Sequence, residues 1–124
     1  MIDHVSIKVK DVEQAKAFYE AALAPLGYAR GIEYPGGMQL LVEGEPGDVC
    51  ELAPLPEGAG PSRHVALRAA DAAAVDAFYE AALAAGGTDT GGPGPRDYQP
   101  GDYAAFVYDP EGNNIEAVIH DWAE

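Results

Sequence analysis

The chain has 124 residues, 48% of them apolar and 23% charged, which points to one packed domain rather than disorder. Twenty-one Asp and Glu against seven Lys and Arg leave a net charge of −14. That field repels nucleic-acid phosphates and anionic lipid, so neither is an expected partner.

Met1 runs straight into an alternating strand pattern without a charged and apolar leader, and no apolar run approaches the roughly 20 residues of a membrane span. A cytoplasmic location is expected. Val5, Ile7 and Val9 form one face of the first strand, and His4, Ser6 and Lys8 the other. Asp11 has the character of an N-cap, with Gln14 three residues on in a capping-box pattern. Val12, Ala15, Phe18, Tyr19, Ala22 and Leu26 then recur at helical spacing, and Gly27 ends the helix. Three strand-like runs follow at 28–34, 38–42 and 49–53, separated by Gly36-Gly37 and by the turn Glu45-Pro46-Gly47-Asp48.

The pattern then repeats. Asp3-His4-Val5 returns as Arg63-His64-Val65, and Ala17-Phe18-Tyr19-Glu20-Ala21-Ala22-Leu23-Ala24 returns unchanged from Ala77 to Ala84. Asp11 matches Asp71 and Gly27 matches Gly87 at the same offset. A second helix is predicted over 71–85, a short strand near Thr88, and strands over 103–108 and 114–120. Asp109-Pro110-Glu111-Gly112-Asn113 is the turn between the last two, and 91–101 is expected to be a mobile loop. The prediction is an α+β fold of two tandem βαβββ modules. They occupy 1–53 and 63–124 of a single domain (1–124), with a Pro/Gly-rich linker at 54–62. Helices should cover the outer face of a curved, cup-like mixed sheet.

Strand parity sends His4 and His64 to the face opposite the helices. Glu116 interrupts the last apolar strand, and Glu51 is its counterpart between Cys50 and Leu52. A carboxylate there is costly unless it is paired or binds a cation. Two imidazoles with one or two carboxylates suit a divalent metal such as Fe, Ni, Zn or Mn. The plainer alternative is that these are surface histidines and half-exposed glutamates. Tyr98, Tyr103 and Tyr108 are candidates to line the cup, and packing is the ordinary use of strand tyrosines. Cys50 cannot close an internal disulfide, and His120 is expected to be exposed near the C-terminus.

The openings His4-Val5 and His64-Val65, the two Ala-Phe-Tyr-Glu helices and the run Asp109-Pro110-Glu111-Gly112-Asn113-Asn114-Ile115-Glu116 resemble the vicinal oxygen chelate superfamily. That group includes glyoxalase I, extradiol dioxygenases, fosfomycin-resistance thiol transferases and bleomycin-binding proteins. The resemblance implies homodimers with one divalent metal per site, held by His4, His64 and Glu116. Glu51 matches the extra carboxylate of glyoxalase I-like members, and Glu51 and Glu116 are the implied proton carriers. The expected function is a glyoxalase-like lyase or isomerase that stabilises an enediolate from a small oxygenated substrate. Tyr98 and Tyr103 are the expected substrate-binding residues. The alternatives are a non-catalytic binder of a cationic or aromatic drug and a small extradiol-type dioxygenase. One departure is the place where short relatives often carry histidines, which reads Asp97-Tyr98-Gln99 here. Another is the scarcity of basic residues, since glyoxalase I and the fosfomycin enzymes use basic pockets for anionic ligands.

Overall fold

A computed structural model describes residues 3–42, 49–57, 60 and 63–124. The turn expected at 45–48 and residues 58, 59, 61 and 62 of the linker expected at 54–62 lie outside the described residues. The elements follow the predicted double order. They are β1 (His4–Val9), α1 (Val12–Leu23), β2 (Tyr28–Tyr34), β3 (Gly37–Val42) and β4 (Val49–Pro54), then β5 (His64–Arg68), α2 (Ala72–Ala84), β6 (Thr88–Pro95), β7 (Tyr103–Tyr108) and β8 (Asn114–Ile119).

The strands form two four-stranded mixed sheets, ordered β1-β4-β3-β2 and β5-β8-β7-β6. In each, the first strand runs parallel to the last strand of its own module, and the remaining pairs are antiparallel. β1 and β5 are therefore edge strands, each with a single neighbour. Asp11 and Asp71 cap their helices by accepting from the amides of Gln14 and Ala74. The return arm of the predicted capping box comes from elsewhere. Glu111 of the β7–β8 turn accepts from the amides of Lys10 and Asp11, both at 2.7 Å. α1 tightens into a 3₁₀ turn over Ala24–Leu26 and stops at Gly27, whose φ of +92° no branched residue adopts cheaply.

Each helix covers one face of its own sheet and packs against the other helix, so one apolar cluster serves both modules. Ile7, Phe18, Tyr19 and Leu52 from the first module join Val75, Phe78, Val107 and Ile115 from the second. Cys50 is buried there, and burial pushes its thiol up to about 12. No described helix is long and apolar enough to cross a membrane.

The predicted loop at 91–101 is in part strand, because β6 runs on through Gly91, Gly92, Pro93, Gly94 and Pro95. Its pairing with β7 shifts register twice, and it is an edge strand, where a missing proline N–H costs no ladder bond on the solvent side. A glycine–proline run with no alternation gives no period-2 signal, so the sequence reads as a loop.

Candidate functional site

Parallel pairing of first and last strands puts each histidine on the same sheet face as one glutamate. Ser6 is opposite Glu51 and Ala66 opposite Glu116 in register, with His4 and His64 two residues earlier on the same strands. In the second module the pair closes, with His64 Nε2 3.0 Å from Glu116 Oε2. The glutamate side chain is only 12% exposed, against 50% for the histidine.

The other ring nitrogen fixes the chemistry. His64 Nδ1 lies 3.2 Å from the Asn114 carbonyl, which can only accept, so Nδ1 carries a proton. Nε2, on the other side of the ring, then faces a carboxylate oxygen. Two acceptors at 3.0 Å repel unless a proton or a metal cation sits between their lone pairs. A histidine that gives Nδ1–H to a carbonyl, with Nε2 turned toward a carboxylate, has the orientation in which metal-ligating histidines are commonly held. The donor set fits a divalent cation.

The first module carries a looser version. Glu51 accepts from the Ser6 hydroxyl at 3.2 Å and faces Tyr34, whose phenol is raised by burial and by this carboxylate. His4 is bonded to Asp3 at 2.8 Å, and that bond raises its pKa, aided by the charges of Asp3 and Glu51.

The four residues do not converge within one chain. Among the described residues, no group of three or more His, Cys, Asp or Glu side chains is placed to hold a metal. Each pair sits on its own sheet, and the modules meet through their helices, on the opposite faces. Tyr103 also lies elsewhere than expected. Its hydroxyl gives 2.7 Å to Asp76 of α2 and its ring tilts against Trp122, so it packs on the helix side of its sheet. Tyr98 is 72% exposed in the turn between β6 and β7. Tyr108 shares the open face with Phe106, as parity requires.

Phe106 was not singled out from the sequence, although it alternates with Val107 and stands opposite Glu116 in register. Its ring lies parallel to that of His64, with centroids 6.1 Å apart. A second unforeseen group is at the far end of β8, where His120 Nδ1 is 2.7 Å from Asp102, itself bonded by Gln99 at 3.1 Å. Asp102 is buried by the turn, and His120 is exposed as expected, at the rim of a recess also lined by Arg68.

Comparison with known proteins now adds to this geometry. The profile described as "Glyoxalase/Bleomycin resistance protein/Dioxygenase superfamily" matches residues 1–117. A solved glyoxalase/bleomycin resistance protein from Albidiferax ferrireducens is 31% identical, covering 95% of this chain and 97% of its own at a TM-score of 0.79. A putative glyoxalase from Bacillus halodurans is 23% identical, with coverages of 95% and 94% and a TM-score of 0.77. A family enzyme from Burkholderia phytofirmans is 22% identical, with coverages of 94% and 95% and a TM-score of 0.72. No curated protein matches the sequence.

Proposed function

Because the chain belongs to the glyoxalase/bleomycin resistance protein/dioxygenase superfamily, we propose that it is a metal-dependent lyase or isomerase for a small oxygenated substrate. Its site would be completed between two copies. The observation that carries this reading is the His64–Glu116 pair, which sets an imidazole Nε2 3.0 Å from a carboxylate oxygen on the open face of its sheet.

His4 and Glu51 of one subunit, with His64 and Glu116 of the other, supply two imidazoles and two carboxylates for Ni, Zn, Fe or Mn. Two features support assembly across a dimer. Each histidine opens an edge strand with an unpaired side, and exposed edges favour pairing with another strand. The two pairs also occupy equivalent places in the two modules, so a two-fold arrangement that sets β1 beside β5 of the second copy would juxtapose them.

When bound, the cation supplies Lewis-acid polarisation of a substrate oxygen. Glu116 is engaged by His64, so it serves as a ligand. Glu51, oriented by the Ser6 hydroxyl and Tyr34, takes a proton from the carbon beside that oxygen and returns it to the substrate.

Mixing His4→Ala with His64→Ala chains tests the reading. Either variant alone should lose metal, because each spoils both sites of the dimer. After exchange of subunits, about half the dimers are hybrids with one intact site, so metal content should recover to about a quarter of wild type. No recovery, with hybrids verified, would overturn the shared site. A wild-type protein that takes up none of the four metals would overturn the metal reading itself.

A further inference from the structure

In a chain of net charge −14 the basic residues are few, and most of those engaged are engaged by acids. Lys16 is held by Glu13 and Glu33, and Arg30 by Glu20 and Glu33. Arg96 differs. No ion pair among the described residues includes it. Its guanidinium is held instead by the carbonyls of Gly92 at 2.7 Å, Gly94 at 2.9 Å and Pro95 at 3.3 Å. Neutral carbonyls orient a cation without cancelling it. A guanidinium has five N–H donors, and these three bonds leave two unspent.

The group is also built into a definite place. Its central carbon lies 5.4 Å from the centroid of Phe106, the ring that stacks on His64 and stands opposite Glu116. Room for it is made by Gly91. A Cβ there would come within 3.2 Å of both Arg96 Nη2 and Phe106 Cδ2, so even an alanine would press on the guanidinium and the ring. The glycine–proline composition of β6 thus has a positional role, supplying carbonyls and clearance.

We propose that Arg96 anchors the carboxylate of the substrate, so that the ligand is a small carboxylic acid bearing a further oxo or hydroxyl oxygen. This rests on the metal-site reading above and deepens it. The carboxylate sits on the planar fork of Arg96, and the carbon chain crosses the face of Phe106. The remaining oxygen then lies toward His64 and Glu116. A carboxylate matches the guanidinium fork in geometry and charge. A cationic aromatic ligand would meet Arg96 as a like charge over the same ring, which counts against drug sequestration on this face. The acidic field of the whole protein slows the approach of an anion, but contact selectivity is set locally.

The test compares pyruvate with butane-2,3-dione, an uncharged compound of similar size, by NMR titration with and without Ni²⁺. Wild type should bind pyruvate at least about tenfold more tightly, a difference of about 1.4 kcal/mol. Arg96→Gln should erase that preference while Ni²⁺ affinity stays unchanged, and Arg96→Lys should keep part of it. Should the Gln variant fail to melt cooperatively, wild type and the Lys variant decide. Equal binding of the two compounds by wild type overturns the proposal, as does a preference that survives in a folded Gln variant. Pyruvate preference without uptake of Ni, Zn, Fe or Mn keeps the Arg96 assignment and removes the metal reading, whereas metal uptake without preference does the reverse.

Discussion

The same eight residues, Ala-Phe-Tyr-Glu-Ala-Ala-Leu-Ala, occur in both helices and do different work. Phe18 and Phe78 are equally buried, as are Ala22 and Ala82. The neighbouring stripe diverges. Tyr19 and Leu23 are fully buried, whereas Tyr79 and Leu83 are only partly buried. The hydroxyl of Tyr19 reaches across the module boundary to Asp109 at 2.7 Å, and Tyr79 stays within its module against Asp89. Sequence identity keeps the phenylalanine of the repeat and the second alanine of its Ala-Ala pair buried in each helix. What the other faces meet is settled by the packing of the two modules, and α1 is the helix enclosed by it.

Asp109 is where that comparison breaks most completely. Its carboxylate accepts from Tyr19, from the amides of Glu111 and Asn113, and from the Asn113 side chain, all between 2.7 and 2.9 Å. It is buried, so Asp109→Ala strands several donors at once and should cost about 3 kcal/mol or more. It also unseats the turn whose Glu111 holds the amides of α1. Urea melts of Asp109→Ala and Asp89→Ala should show a large loss for the first and under about 0.5 kcal/mol for the second. Equal losses would mean that the boundary contact adds nothing.

Tyr19→Phe against Tyr79→Phe sharpens the contrast at one atom. Removing the Tyr19 hydroxyl leaves a buried acceptor short of a donor and should cost about 1–3 kcal/mol, with Tyr79→Phe within about 0.5 kcal/mol. Burial, then the charge of and bond to Asp109, raise the Tyr19 phenol far above its ordinary value of 10.0. The unfolded phenol therefore ionises first, so this stabilisation is complete below pH 10 and falls away as pH rises above it. The alkaline limb of a stability profile should flatten in Tyr19→Phe and change much less in Tyr79→Phe. Identical alkaline limbs in the two variants would contradict the assignment.

The contrast also marks what can be read from the residues alone. The repeat and the local patterns placed both helices and every strand but the glycine–proline part of β6, and parity put His4 and His64 on the open faces, because burial of Ile7 and Val65 against helices leaves no other choice. Pairing of each histidine with the glutamate of its own module follows from the parallel first and last strands. The separation of the two pairs was not legible, since it depends on which faces the modules use to meet. Tyr103 was misplaced because its strand alternates weakly, with Ala104 and Ala105 both buried. Arg96 and Phe106 meet only through the twice-shifted register of β6, which no local pattern encodes.

The smallest effect concerns two Asp–His pairs, one in each module. Asp3 and His4 are bonded at 2.8 Å with side chains 88% and 52% exposed, so water screens the pair. Asp102 and His120 are bonded at 2.7 Å with the aspartate side chain only 6% exposed. The bond from His120, then that from Gln99, hold the Asp102 carboxyl below its ordinary value of 3.8. The folded chain thus keeps the carboxylate while the unfolded chain takes up a proton. That contribution is complete above pH 3.8 and is lost as pH falls through the lower folded value. Asp102→Asn should remove this part of the acid limb and shallow the loss of stability between about pH 4 and pH 2. Asp3→Asn, at an exposed pair, should leave the limb unaltered. Melting temperatures of the three proteins across that range decide the point. An Asp102→Asn limb as steep as that of wild type would show that the buried carboxylate gains nothing from His120, leaving the two pairs equivalent despite their difference in burial.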